Sequence, residues 1–435
     1  MAETMPGRTW VLNEHSLRRT LAGEVHARPY EQIMAPVRVS HLAVLHDGLS
    51  AADECAYLAE LLSIHGAELP ADSTNYFSRD LGALRLRWER HVEFSTYTFL
   101  RFEAFDHPFA DTALALVPEQ WLARLPGQVL TATHLAMEKV SRSGDDISAL
   151  FDGNPLIAGK ILGSAAECWT DFRLHADGFG RIWVRDKDLS KGQGGRVMQR
   201  LLEIETYRMM ALLAFPQARQ ANAEMARMDS GLAAIVTELA DPAVAQNDRE
   251  LLERLTALAA EAERLDAANS FRLGASQAYY AIVNQRIAEL REDRIPGLQT
   301  IGEFMDRRLA PAMKTCESAA ERQQLLARRA ARAGDLLRTR VDIALEEKNR
   351  DLLRSMNRRA HMQLRLQETV EGLSVVAISY YLLSLVLYAA KGLKGAGLPI
   401  NADIAALVAL PIIIGAVILG VRRLRRALGS GHGAE

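Results

Sequence analysis

The stretch GEVHARP, from Gly23 to Pro29, sets Glu24, His26 and Arg28 at alternate positions. In an extended backbone side chains alternate between faces, so these three would point to one side and Val25 and Ala27 to the other. Pro29 biases Arg28 towards that extended conformation. A carboxylate, an imidazole and a guanidinium on one face could bind a phosphate or carboxylate, or let His26 act as a general base oriented by Glu24. No nucleophile or metal partner stands at a diagnostic spacing, and a structural ion pair accounts for the same residues. The expected role is a tie that clamps the N-terminal segment onto a sheet, with a binding site as the alternative.

A second stretch, GQGGRVMQRLLEIETYRMM, joins a glycine-rich turn to a helix N-terminus, a generic anion-binding geometry. It lacks the Lys-Ser/Thr of a phosphate-binding P-loop and the preceding strand of a dinucleotide fingerprint. Arg196 and Arg200 lie one turn apart, and Glu203 and Tyr207 continue that side, so a helix with a charged seam against the sheet is expected. The histidines cluster in the first half of the chain, but none forms an HxxxH or HxH pair, and no metal site is expected. Cys55, Cys168 and Cys316 are far apart and odd in number, as buried free thiols in a reducing compartment would be. No cofactor is implied.

Two apolar stretches near the C-terminal end, Leu373 to Ala390 and Ile404 to Val421, are each eighteen residues without a charge. Each can cross about 30 Å of hydrocarbon as a helix. The connector KGLKGAGLPINAD suits a tight loop, so the pair reads as a transmembrane hairpin. Arg354, Arg358, Arg359 and Arg365 precede the first span and Arg422, Arg423, Arg425 and Arg426 follow the second, against Lys391 and Lys394 in the loop. The basic flanks place both termini in the cytoplasm, which agrees with an N-terminus that lacks a signal-peptide run. Along the first span, Ser374, Ala377, Tyr381, Ser384, Tyr388 and Lys391 form a heptad stripe of small and polar residues, suited to helix contacts or a water-filled path.

The elements that must position these residues divide into an α/β half and a helical half. VRVSHLAVLHD places Val37, Val39, His41, Ala43 and Leu45 on one face of a strand. GALRLRWERHVEFSTYTFLRFE reads as two strands with a turn near Glu89 to His91, and QVLTATHLAMEKV and CWTDFRLHADGFGRIWVRDK add more. Helical stretches such as SAADECAYLAELLSIHGA fall between them, so the first half is an α+β, mixed-sheet α/β domain. Further on, Leu251, Leu255, Leu258, Ala262 and Leu265 step by four and three, the seam of a packed helix. DRIPG then supplies a turn, with Pro296 fit for the start of the next helix. Between Pro311 and Lys391 there is no proline and only Gly334 and Gly372, so one long stalk helix, on the order of 115 Å at 1.5 Å per residue, is expected to run into the first span. The expected organisation is an α/β domain over 1–190, a helical domain over 191–372, the hairpin over 373–421 and a basic tail over 422–435.

The motifs GEVHARP, RWERHVEFSTYTF and GGRVMQRLLEIETYRMMALLA together resemble a bacterial family of membrane-anchored proteins, domain of unknown function 3422. The resemblance runs over nearly the whole chain and implies a multi-pass protein of the bacterial inner membrane, without supplying a reaction or a ligand. The overall plan is also similar to CorA-type divalent-cation transporters, pentamers whose first span lines the pore and ends in Gly-Met-Asn. The matching region here, LYAAKGLKGAG, has no such tripeptide, and Lys391 and Lys394 would repel a divalent ion.

The 52 basic and 54 acidic side chains nearly cancel, which removes the global positive field of a dedicated nucleic-acid binder. The resulting expectation is a non-enzymatic inner-membrane protein in the lipid bilayer, a homo-oligomer whose cytoplasmic domain binds a partner or a small anion through Glu24, His26, Arg28, Arg196 and Arg200. The alternatives are a CorA-like ion transporter with altered selectivity, using Ser374, Tyr381, Ser384, Tyr388 and Lys391, and an enzyme built on GEVHARP.

Overall fold

A computed structural model describes residues 13–24, 30–46, 48–67, 75–240, 248–395 and 402–429. Its contacts divide the chain into two units, Met1–Gly334 and Asp335–Glu435.

The first unit opens with a seven-residue helix, α1 (Arg18–Glu24). Glu24 therefore ends a helix rather than standing in an extended run. The reason is local: the constraint of Pro29 falls on the residue before it, not five positions upstream. His26 and Arg28 lie outside the described residues.

A nine-stranded mixed sheet follows: β1 (Val37–Leu45), β2 (Tyr76–Asp80), β3 (Leu84–Arg90), β4 (Phe94–Arg101), β5 (Gln128–Glu138), β6 (Ile157–Ile161), β7 (Ala166–Thr170), β8 (Gly180–Asp186) and the two-residue β9 (Asp293–Arg294). Its order is β2-β3-β4-β1-β5-β8-β7-β6-β9. Every pairing is antiparallel except β5 with β8. Period-two patterning decides the faces: in β3, LRLRWER, Leu84, Leu86 and Trp88 turn one way and Arg85, Arg87 and Glu89 the other. The apolar face meets α2 (Ala51–Ile64) and α3 (Glu119–Leu122), where Leu58, Leu61, Leu62 and Trp121 bury Trp88, Tyr97 and Phe99. Glu54 of α2 is buried in that layer and accepts hydrogen bonds from Trp88 Nε1 (2.9 Å) and Tyr97 Oη (2.6 Å), with Arg90 as its counter-ion. A short helix, α4 (Gly144–Leu150), precedes β6 and adds Ile147 to a smaller core around Trp169 and Trp183.

α5 (Lys191–Leu212) lies over the polar face and α7 (Asp248–Leu290) packs on α5; α6 (Ala214–Ala240) packs on α7, and α8 (Ile301–Arg308) and α9 (Ala310–Gly395) follow. In α6 the buried residues Ala214, Ala218, Ala221, Met225, Met228, Leu232 and Ile235 alternate steps of four and three, a heptad seam. Its Asp229 accepts from Arg322 Nη2 and Arg329 Nη1, both at 2.9 Å, which holds the first part of α9 beside α6. Pro296 does not start a helix: with Gly297 at φ +82° it lies in a turn. Thr300 then caps α8, bonded reciprocally with Glu303.

α9 runs 86 residues without a break, through Gly334 and Gly372, and its last part is the first apolar span. In the second unit α10 (Ala402–Gly429) supplies the other, with Pro411 inside it. These two helices are long and apolar enough to cross a membrane.

Candidate functional site

α5 starts with a reciprocal cap: Gln193 N–H donates to Ser190 Oγ (3.4 Å) and Ser190 N–H to Gln193 Oε1 (3.0 Å). The glycines of GQGG are therefore helical, not a turn. Gly194 and Gly195 serve close approach instead. A Cβ on Gly195 would stand 1.7 Å from the Glu31 carbonyl oxygen, and one on Gly194 2.5 Å from that of Ile33. The extended chain at Glu31–Ile33 thus lies directly on the helix, with Ile33 N–H bonded to Lys191 O at 3.1 Å. The Arg196 guanidinium sits 6.0 Å from the centre of the Tyr30 ring, in cation–π range.

One turn further, Arg196 and Arg200 enter a pocket of about 430 Å³, shared with Gln193 of α5 and with Gln285, Glu289 and Arg291 at the end of α7. Leu162 and Ala288 give it an apolar wall. Arg200 Nε donates to Glu289 Oε2 (2.8 Å), while Gln285 Nε2 and Arg286 Nη1 both donate to Glu289 Oε1 (3.1 Å). Partial burial works against ionisation of Glu289, but the hydrogen bonds from Arg200 and Gln285 and the charges of Arg286 and Arg200 outweigh it and hold the carboxyl below its usual range. Among the described residues, neither Arg196 nor Arg291 has an ion-pair partner. Three guanidinium groups against one carboxylate leave the lining with a net charge of +2.

On the sheet, register alone assembles a second polar feature. Arg87 pairs with Thr98, Thr98 with His41 and His41 with Thr133, a row of buried polar side chains across β3, β4, β1 and β5. The next row holds Glu89, Thr96, Ala43 and Thr131. Met198, Leu202 and Thr206 of α5 close over them, leaving a chamber of about 40 Å³. Polar cavities of that size hold a few waters; the Thr131 and Thr133 hydroxyls of the same rows are buried without a hydrogen-bond partner among the described residues but do not line the chamber. His41 stands between two hydroxyls, Nδ1 at 2.8 Å from Thr98 Oγ1 and Nε2 at 3.0 Å from Thr206 Oγ1. Burial, helped by the charge of Arg87, pushes its pKa down to about 3, so the ring is neutral.

A chain of hydrogen bonds joins chamber and pocket. Arg87 donates to Glu89 and, through Nη2, to Gln199 Oε1 (3.3 Å); Gln199 Nε2 donates to Glu203 Oε1 (2.7 Å). Arg286 then bridges Glu203 and Glu289, and Glu289 holds Arg200. The charged seam of α5 therefore faces α7 on one side and the sheet on the other.

The family described as Protein of unknown function (DUF3422) matches residues 13–428. The chain belongs to this family. No curated protein matches it.

In this DUF3422 protein Arg196 and Arg200 are brought together in one pocket; Glu24 ends α1, and His26 and Arg28 lie outside the described residues. Of the stripe in the first span, Ser374, Tyr381, Tyr388 and Lys391 are exposed and Ser384 is half-buried. Both stripe serines turn their hydroxyls back onto the helix, to Val370 O and Tyr380 O at 2.9 Å. The buried residues of that span are Ser379 and Ala390, which share a different side of the helix. Sequence patterning missed Arg291, Gln285 and Glu289, which reach the pocket from the far end of α7. It also missed Arg87 and Glu89 beneath α5. A charged residue at every second position of β3, on the face opposite Leu84, Leu86 and Trp88, was the available signal.

Proposed function

We propose that this DUF3422 protein is a membrane-anchored, homo-oligomeric anion-binding protein. The helices within Leu373–Ala390 and Ile404–Val421 form the anchor, with the basic flanks on the cytoplasmic side. The exposed Tyr381, Tyr388 and Lys391 face supports association with further copies. The first unit binds a small anion between Arg196, Arg200 and Arg291, and binds it without transforming it. The observation that carries this reading is the excess of guanidinium groups over carboxylates in a pocket of ligand size.

The test uses the full-length protein in lipid nanodiscs, titrated calorimetrically with inorganic phosphate. Saturable binding that is lost in the Arg196→Ala, Arg200→Ala double variant is expected. No binding by the wild type, or undiminished binding by the double variant, would overturn the anion site. Extraction of the full-length chain from membranes by an alkaline wash would overturn the anchor.

A further inference from the structure

We infer that the anion this pocket takes is a phosphate monoester of a small organic molecule, bound as its dianion. The inference rests on the reading of the pocket as an anion site and adds its ligand class. Three observations converge on it.

The first is donor geometry. Arg200 commits only Nε, to Glu289, among the described residues, so both of its terminal nitrogens remain to grip an anion as a fork. Arg196, one turn before it on α5, and Arg291, just past the end of α7, line the same pocket. Three forks match three terminal oxygens, which a phosphate monoester has and which a carboxylate or a phosphodiester, with two, does not. The second is charge. A net charge of +2 in the lining is neutralised by a dianion, whereas a sulfate ester, with the same three oxygens and one negative charge, leaves a guanidinium uncompensated. The third is size. A space of about 430 Å³ with an apolar wall of Leu162 and Ala288 is far larger than a phosphate group alone and belongs to the range that accepts an organic ligand. The Gln193 and Gln285 amides add neutral polar groups at its rim.

Glu289 is the positioning residue of the site. It fixes the Arg200 side chain by its Nε and is itself fixed by Gln285 and Arg286, whose other partner is Glu203. The charged groups that face the bound phosphate are then Arg196, Arg200, Arg291 and Glu289, with the Arg286–Glu203 pair behind them. Glu289 is held ionised by its arginine and glutamine partners. The change in binding with pH should therefore follow the ligand's own second ionisation, near about pH 6.

The decisive comparison is phenyl phosphate against phenyl sulfate, two ligands of the same shape and different charge, titrated into the full-length protein in nanodiscs. At about pH 8 phenyl phosphate should bind at least about tenfold more tightly than phenyl sulfate, and more tightly than inorganic phosphate. At about pH 5, where the phosphate carries one charge, the preference over sulfate should vanish. Arg200→Lys, which keeps the charge and loses the fork, should weaken phenyl phosphate binding while leaving the melting temperature within a degree or two of wild type. Equal affinity for the two esters at about pH 8 would overturn the dianion assignment while leaving the pocket an anion site. Binding of inorganic phosphate as tight as phenyl phosphate would overturn the organic ligand. Absence of binding by all three probes would remove the underlying site as well.

Discussion

His41 is held between the Thr98 and Thr206 hydroxyls, buried where β1, β4 and α5 meet. Alternation in VRVSHLAVLHD placed it on one face with Val37, Val39, Ala43 and Leu45, and that face is where it lies. No local pattern could add that Thr98, Thr133, Arg87 and Thr206 meet it there, because they come from three other strands and a helix far along the chain. The ring's neutrality has a consequence for stability. Its folded pKa, about 3, lies below the ordinary value of 6.5, so between these values the unfolded chain binds the proton and the folded one does not. Its contribution is complete above about pH 6.5 and is lost progressively as the pH falls towards 3. His134, buried and lowered to about 4, acts in the same direction. Denaturant titrations across that window should show His41→Gln with a flatter acid decline than the wild type, a difference on the order of a few kcal/mol between its ends. Superimposable pH profiles would mean that the ring is not held neutral.

At the scale of elements, α5 carries the sharpest difference between expectation and structure. Glycines in GQGG signal a turn and a crowded helix surface equally well, since both need a missing Cβ. The surface they clear is made by Glu31 and Ile33, residues that nothing in the local sequence connects to position 195. Gly195→Ala should therefore cost about 3 kcal/mol or more, because the atom in the way is a backbone carbonyl that cannot swing aside. Gly192→Ala meets only the end of the Arg196 side chain, at 3.4 Å, and should be neutral or stabilising by up to about 1 kcal/mol through helix propensity. Thermal melts of the two full-length variants check the contrast; similar losses in both would refute it. Other elements were legible for plain reasons. β1, β3, β4, β5, β7 and β8 announced themselves by period two, α7 by its seam, and α9 by a proline-free run of good helix formers, whereas β2, β6 and β9 were not read from the sequence. The pair Arg196 and Arg200 was readable from helical spacing, but their partners at Gln285, Glu289 and Arg291 depend on how two helices cross, which spacing within either helix does not encode.

For the molecule as a whole, the sheet's connectivity sets a folding order. β1 to β5 form one side of the sheet by antiparallel pairings, with hairpins at β2–β3 and β3–β4 and longer returns that set β1 between β4 and β5; β6, β7 and β8 form the other by hairpins, with β9 at its edge. Only the parallel pairing of β5 with β8, Thr133 opposite Gly180, joins the two sides. Hairpins close quickly because little chain entropy is lost in bringing their strands together; a parallel pair needs a crossover and closes late. Each side should therefore gain its own protected amides before the join does, leaving an intermediate of two partial sheets. Pulse-labelled hydrogen exchange during refolding should find the β3–β4 and β6–β7 amides protected ahead of those bridging β5 and β8. Simultaneous protection throughout would show instead that the nine strands close as one cooperative event. In the sequential case the arginine pocket, built on a helix that follows β8, would be among the last parts of the first unit to exist, and its ligand could act as a brake on reopening that seam.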